Sequence, residues 1–130
     1  MALIAKSGTP SLCTPYPSHE NAVTGLLAGE AIAAGDVCYI AADGTVMRSN
    51  GTAAGVAGVA FGMAAGATPI GEAVTIFRRS NFHYGAGLTP GTPLFVAATA
   101  GQLDTAATVG GTVVVARTID ATRIAFSGQP

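Results

Sequence analysis

Residues 31–40 read AIAAGDVCYI, and residues 87–96 read GLTPGTPLFV. In both stretches an apolar residue leads into a glycine turn, and a short run of aliphatic and aromatic residues follows. Pro90 and Gly91 stand in the order that a type II turn requires, because proline presets φ and glycine accepts a positive φ. Gly35 holds the matching place in the first stretch. The two stretches therefore predict two equivalent turn-and-strand units.

The similarity continues beyond these units. Alternating apolar residues, as in AVTIF at 73–77, are typical of half-buried strands. We expect strands at 37–42, 45–47, 55–61 and 73–77 in the first copy and at 94–98, 102–105, 112–118 and 122–127 in the second. Residues 62–72 are expected to form a link in the first copy, and Asp43 with Gly44 predicts a type I′ hairpin turn.

The pattern indicates an internal repeat of about 25–80 and 85–127. Two copies are too few for a solenoid, which needs about three repeats to bury its core. We therefore expect an all-β fold over residues 25–130, a small β barrel or sandwich built from two similar halves. A chain of 130 residues is long enough to fold as one domain without a metal or disulfide staple.

Residues 1–24 differ from the rest in composition. Three prolines punctuate this segment: Pro10, Pro15 and Pro17. They disfavour a helix and favour an extended Pro-rich N-terminal arm. Leu12 and Tyr16 give the arm apolar surface to bury. Two alternatives follow: the arm is disordered in the free protein, or it lies on the surface of a partner.

Charge is scarce in this chain. There are 6 lysines and arginines and 7 aspartates and glutamates among 130 residues, and the formal net charge is -1. No basic stripe is present that would bind nucleic acid or an anionic membrane surface. Monomer surfaces usually carry about a quarter or more charged residues, so the composition indicates an oligomer or a larger assembly. With no signal-peptide pattern, Cys13 and Cys38 are expected to be reduced thiols in a cytoplasm.

No pattern of catalytic or metal-binding residues occurs in the sequence. His19 and His83 each lack a second ligand at metal-site spacing, no serine lies in a nucleophile elbow, and the glycines do not form a phosphate loop. A pair of acids that meets only in space leaves no such pattern. We predict that the chain is not an enzyme and holds no cofactor or metal ion.

Residues 78–84, RRSNFHY, form the one cluster that mixes charge with aromatic rings. Arginine and aromatic residues are enriched at protein interfaces. The candidates for contact with a partner in this cluster are Arg78, Arg79, Phe82, His83 and Tyr84. A solvated strand end that links the two halves is the alternative interpretation. The N-terminal arm supplies the other contact candidates: Leu12, Pro15, Tyr16, Pro17 and His19.

The order of these elements resembles a known family. GEAIAAGDVCYIAADGTV is followed by VAGVAFG and GEAVTIF, and then by LTPGTPLFVAATAGQLDT, VVVARTI and TRIAF. This succession is similar to that of the capsid decoration (cement) proteins of tailed bacteriophages. GVA at 58–60 matches the family's "GvA" step, and VAR at 115–117 matches its later "vGra" step without the glycine. The resemblance covers about residues 25–127.

The resemblance implies a small β barrel that forms a homotrimer on the outside of the mature phage head. Such proteins clamp neighbouring major capsid proteins and stabilise the head against internal DNA pressure. The implied partners are the major capsid protein and further copies of the chain, with neither nucleic acid nor membrane. The implied location is the capsid exterior of the virion, after assembly in the host cytoplasm. Residues 1–24 would suit an arm that becomes ordered on the capsid.

Two other functions remain open from the sequence. One is a carbohydrate- or receptor-binding β module of a virion appendage, although the chain has no tryptophan and few rings on which a sugar could stack. The other is a small enzyme domain, because GEAIAAGDV is similar to the antifreeze-like β-clip modules found beside sugar-acid synthases. No catalytic residues accompany that phrase here.

Overall fold

The structure, a computed structural model, describes residues 3–13 and 21–129. These residues form twelve strands and include a short 3-10 helix between β5 and β6. The strands are β1 (Leu3–Ile4), β2 (Ser11–Leu12), β3 (Ala22–Leu27), β4 (Val37–Ile40), β5 (Val46–Arg48), β6 (Gly62–Ala64), β7 (Ala73–Phe77), β8 (Ser80–His83), β9 (Pro93–Val96), β10 (Leu103–Asp104), β11 (Ala116–Thr118) and β12 (Arg123–Phe126). The 3-10 helix spans Val56–Gly58. The paired strands are antiparallel, and the predicted all-β fold is confirmed.

The strands form two sheets that pack together as a small sandwich. The five-stranded sheet has the order β3-β7-β6-β4-β5, and the seven-stranded sheet has the order β1-β10-β9-β11-β12-β8-β2. Without β1 and β2, the second order reads β8-β12-β11-β9-β10, which is the first order with every strand number raised by five. Residues 22–77 (the first half) and residues 80–126 (the second half) thus each build one sheet with the same topology.

The turns that precede β4 and β9 have the same backbone conformation. Gly35 and Gly91 both have a φ of 79°, as the type II pattern predicts. The predicted type I′ turn between β4 and β5 is wrong. That turn type needs a positive φ at Asp43, and within the described residues only glycines have one. The Asp43 carboxylate instead accepts the N–H of Thr45 at 3.0 Å.

Two predicted strands lie elsewhere in the structure. Residues 55–61 contain the 3-10 helix instead of a strand, and β6 lies inside the expected link at 62–72. Gly62 explains this placement, because a Cβ there would lie 2.9 Å from Cδ1 of Ile76, so glycine lets β6 approach β7 closely. In the second half, β11 occupies only the end of the predicted 112–118, because residues 105–115 form a loop that packs on the first half.

Each half has an apolar core of its own. The core of the first half contains small and medium side chains: Ala28, Ile32, Cys38, Val46, Ala64, Val74 and Ile76. The core of the second half contains larger ones: Phe82, Tyr84, Leu94, Val96, Leu103, Val115, Ile124 and Phe126. The first half adds Val37 and Met63 to this second core. Alternation along β4 and β6 directs these two side chains away from the first core, and the second core therefore joins the two halves.

The described part of the N-terminal segment belongs to the seven-stranded sheet. β1 pairs with β10 and β2 pairs with β8, so the two strands form the edges of that sheet. Residues 14–20 of the predicted arm lie outside the described residues, and residue 24 belongs to β3. Over residues 3–13, the segment therefore lies on the chain's own domain.

A buried ion pair fastens this segment to the turn at Gly35. Nζ of Lys6 donates to Oδ1 of Asp36 at 2.5 Å, and the N–H of Ala33 donates to Oδ2 of Asp36 at 2.8 Å. The Asp36 side chain is 3% exposed, and that of Lys6 is 15% exposed. A buried carboxylate is costly unless it is paired and hydrogen-bonded. Lys6 thus allows Asp36 to hold the first turn of the repeat in place.

Candidate functional site

An open groove of about 450 Å³ lies along one end of the first half. Its polar lining includes Glu30, Tyr39, Arg48 and Asn50, and its apolar lining comes from residues 53–57 and Ala100. One aromatic ring therefore stands beside a carboxylate, a guanidinium group and an amide. Such a set of groups can bind a polar cyclic ligand through hydrogen bonds and ring contact.

The charged wall of the groove is organised by Glu30. Its carboxylate accepts the backbone N–H of Arg48 at 2.9 Å and Nη2 of the same residue at 3.2 Å. The preceding residue, Gly29, donates its N–H to the Val46 carbonyl at 2.9 Å, and a Cβ there would lie 2.7 Å from Sδ of Met47. The side chains of Arg48 and Glu30 are 37% and 30% exposed, so solvent screens their attraction. The pair positions the wall and adds little to stability.

The loop that lines the groove meets a loop of the second half, and the two form a shared surface. We call residues 51–58 and 105–115 the loop pair. The N–H of Gly110 donates to the carbonyl of Gly51 at 2.9 Å, and a Cβ at Gly58 would clash with the Gly110 carbonyl. The backbones therefore touch, and this close approach depends on glycine.

The two loops also leave their strands in the same way. Oδ1 of Asn50 accepts the N–H of Thr52 at 2.8 Å, and Oδ1 of Asp104 accepts the N–H of Ala106 at 2.9 Å. In each case an Asx side chain bonds the backbone two residues further on, which turns the chain sharply out of the sheet. Both loops thus begin with the same kind of side-chain-to-backbone bond.

The loop pair presents apolar side chains to solvent. Val56 is 64% exposed and Val109 is 71% exposed, while Val113 and Val114 are 49% and 38% exposed. Neither loop contains a charged residue. Exposed apolar surface of this kind is typical of sites where another protein binds.

Burial changes the acid–base properties of two core side chains, those of Cys38 and Tyr84. No group of three or more His, Cys, Asp or Glu side chains in residues 3–13 and 21–129 could hold a metal ion. Burial raises the pKa of the Cys38 thiol far above its ordinary value, which leaves the thiol unreactive. Burial also raises the pKa of the Tyr84 hydroxyl.

Two of the predicted contact residues are core residues. Phe82 is fully buried and Tyr84 is 1% exposed, so neither side chain can contact a partner in this fold. Asn81 and His83, between and beside them, are exposed. This alternation is that of a strand with one face on the core, and β8 is the first strand of the second half instead of a link.

The other predicted contact residues lie near β2 and β8 or outside the described residues. Arg78 is half-buried, with its Cζ 4.2 Å from the centroid of the Phe61 ring, and Arg79 is exposed. Leu12 pairs in register with Phe82 and packs against the second core. The arm residues Pro15, Tyr16, Pro17 and His19 lie outside the described residues.

Sequence reasoning missed both the groove and the loop pair. Glu30 and Arg48 are 18 residues apart, and no motif joins them. A signal for the loop pair did exist: TAAGVAG at 52–58 and TAATVGG at 105–111 share five of their seven letters by position. Val56 and Val109 occupy the same place in these two heptapeptides, which marks them as equivalent tips.

Comparison with protein-family models, curated proteins and solved structures finds no significant match for this chain. No helix in the part of the chain that the structure describes has the length and apolar character needed to span a bilayer.

Proposed function

We propose that this chain is a structural virion protein that binds the outside of a mature bacteriophage head. It stabilises the head by clamping neighbouring copies of the major capsid protein, and it performs no catalysis. The motif order over residues 25–127 supports this proposal, and so does the low charge of the chain, since a decoration protein buries much of its outer surface.

The two equivalent apolar tips of the loop pair carry the proposal. Val56 comes from the first half and Val109 from the second, and the loops that hold them touch through Gly58 and Gly110. A molecule with two equivalent tips is suited to contact two equivalent surfaces, such as those of neighbouring capsid subunits. Burial of these side chains on the shell would favour binding by the hydrophobic effect.

Cosedimentation with empty expanded heads tests this function. The heads are assembled from the major capsid protein encoded in the same genome, and bound chain is measured in the pellet. We expect the full chain to sediment with the heads and to raise the temperature at which they come apart. If the chain stays in the supernatant and leaves that temperature unchanged, the proposed function is wrong.

A double variant, Val56→Asp with Val109→Asp, tests the surface. Because a carboxylate placed in an apolar contact loses its hydration, we expect head binding to weaken by about tenfold or more. The matched control is Ile70→Asp, which alters a side chain that is 68% exposed and lies outside the loop pair. Equal binding by the double variant and the control would assign the contact to another face.

The groove favours a second candidate function, a carbohydrate-binding module. Tyr39 supplies a ring for stacking, and Arg48 and Glu30 supply planar hydrogen-bonding groups beside it. A glycan array probed with the full chain, followed by titration calorimetry on any hit, tests this function. Binding that disappears in both Tyr39→Ala and Arg48→Ala would support it, whereas an array without signal would remove it.

A further inference from the structure

The two sheets differ in how their edges are covered. The seven-stranded sheet ends in β1 and β2, and each of these strands has two residues. In the five-stranded sheet, the β5 edge is covered by residues 28–30, through the parallel bridge of Ala28 with Val46 and the bond from Arg48 N–H to Glu30. At the opposite edge, β3 has six residues and pairs with β7 alone among the described residues.

β3 lacks most of the features that protect an exposed edge. Charged residues, proline and very short length are the usual means of blocking unwanted strand pairing. The strand reads AVTGLL, without charge or proline, and Leu27 is 52% exposed. A bulge between Val23 and Leu26 is its one irregularity. Two short runs, one on each side of the bulge, therefore keep outward backbone groups that another strand could bind.

In the second half, the edge equivalent to β3 pairs with an additional antiparallel strand. β8 is the counterpart of β3, and its outer side is covered by β2 in antiparallel pairing. The N–H of Cys13 extends this pairing with a bond to the Asn81 carbonyl at 2.9 Å. Among residues 3–13 and 21–129, β2 is already used at β8 and no strand covers the outer side of β3, so that edge is free to accept a strand of another molecule in the same way.

The charges around β3 indicate a second copy of the same chain. At one end Ala22 pairs with Phe77, and Arg78 and Arg79 follow directly. At the other end Leu27 pairs with Ala73, and the exposed Glu72 precedes it. When two β3 strands pair antiparallel about a two-fold axis, the arginine end of each copy faces the Glu72 end of the other.

We infer that β3 is a self-association edge through which two copies pair antiparallel about a two-fold axis. The two five-stranded sheets then continue into one another. Neighbouring strands lie about 4.8 Å apart, so the two β7 strands are separated by about 14 Å, and their terminal charges attract at low salt, where the screening length exceeds this distance. This inference concerns the free protein and stands independently of head binding; the dimer differs from the homotrimer that the resemblance to decoration proteins implies.

Sedimentation equilibrium of the full chain tests the inference. We expect a monomer–dimer equilibrium in which the larger species has twice the 12.7 kDa mass of the chain. Thr24 is exposed at the centre of β3. In Thr24→Lys, the new ammonium groups of the two copies lie close together across the two-fold axis and repel each other. We expect the dimer dissociation constant to rise by about tenfold or more. The matched control is Asn81→Lys, which alters an exposed position of β8 and should leave the constant unchanged.

A charge exchange tests the antiparallel orientation. At low salt, Glu72→Arg should weaken the dimer by about threefold or more, the size expected for unit charges about 14 Å apart in water. Arg79→Glu should weaken it less, because Arg78 stays in place. The double variant should pair more tightly than Glu72→Arg alone, because the carboxylate placed at position 79 then faces the guanidinium placed at position 72. A chain that is monomeric at all concentrations, or a trimer whose stability Thr24→Lys does not change, would overturn the inference. A double variant that pairs no more tightly than Glu72→Arg alone would also overturn it.

Discussion

The two halves of the molecule share a strand order, but they differ in the size of their core side chains and in how the edges of their sheets are covered. The second half packs Phe82, Tyr84, Leu103 and other large side chains around one core, whereas the first half relies on small ones such as Cys38 and Ala64. The turns at Gly35 and Gly91 are common to both. The comparison shows that the shared turns and strand pairing specify the topology, while side-chain size is free to diverge.

The edges diverge as well. In the second half, β1 and β2 cover both β10 and β8, and the Lys6–Asp36 pair fastens this segment to the first half. In the first half, residues 28–30 cover β5 and β3 stays open on one side. An earlier segment of the chain thus completes the second sheet, and removal of residues 1–20 would destabilise the fold in addition to any effect on a partner.

The largest expected contrast is between equivalent core positions. Phe82 and Val23 occupy the same place in the repeat. Phe82 pairs with Ile124 of β12, and Val23 pairs with Ile76 of β7. Phe82→Ala should lower the free energy of unfolding by about 4 kcal/mol, because a fully buried ring leaves a large cavity. Val23→Ala removes less buried surface and should cost about 1 kcal/mol. Urea unfolding followed by circular dichroism measures both, and equal losses would contradict the difference between the cores.

The next contrast is between a buried ion pair and an exposed one. Lys6→Met leaves the Asp36 carboxylate buried without a partner charge and should cost about 3 kcal/mol at neutral pH. Arg48→Met breaks a pair that is about one-third exposed and should cost less than about 1 kcal/mol. Asp36→Asn added to Lys6→Met should recover part of the loss. If the two single variants are equally stable, the N-terminal segment is not fastened through Lys6.

A smaller contrast concerns two glycines of the first half. Gly62→Ala places a methyl group 2.9 Å from Cδ1 of Ile76 and should cost about 2 kcal/mol through overpacking. Gly66→Ala is the control, because a Cβ there has open space around it and should change stability little. The equivalent of Gly62 in the second half is Ala116, which pairs with Leu94 as Gly62 pairs with Cys38. A Gly62→Ala variant as stable as the control would mean that β6 can shift without loss.

The smallest effect is expected in the turn before β12. Hydrogen bonds from the N–H of Thr122 and from Arg123 lower the pKa of Asp120 to about 2, below the unfolded value of 3.8. Because the folded pKa is the lower one, Asp120 adds stability above about pH 4 and loses this effect as the pH falls through 2. Asp120→Asn should therefore be less stable than the native chain at pH 7, and the difference should shrink as the pH falls below about 4 and close below pH 2. A difference that stays constant from pH 7 to pH 2 would contradict this role.

Local chemistry made part of the fold predictable. The glycine turns at 35 and 91 and the strand at 73–77 follow from residue types that act over a few positions, and β7 has the predicted bounds. The same reasoning placed a type I′ turn at Asp43 and a strand at 55–61, and both predictions are wrong. At 55–61 the fold depends on Gly62 meeting Ile76 and on the loops touching through Gly110, contacts between residues that are distant in sequence. At Asp43 the competing signal is local, the bond from the N–H of Thr45 to the Asp43 carboxylate.

The candidate site could be predicted only in part. Composition alone assigned Phe82 and Tyr84 to a contact surface, although strand alternation from Asn81 and His83 places them in the core. Lys6 and Asp36 are 30 residues apart and give no local signal. The loop pair, by contrast, is indicated by the heptapeptides at 52–58 and 105–111. A search for repeats in loops as well as in strands would find it.

Hydrogen exchange, measured residue by residue by NMR, tests most directly the claim that two equivalent halves differ in edge coverage. It is best performed on the Thr24→Lys variant, so that association does not protect β3. The account predicts slow exchange along Ser80–His83, where strands lie on both sides, and fast exchange at alternate amides of Ala22–Leu27, where one side is open. Equal protection of the two strands in the dilute variant would contradict it, because the β3 edge would then be covered within the single chain.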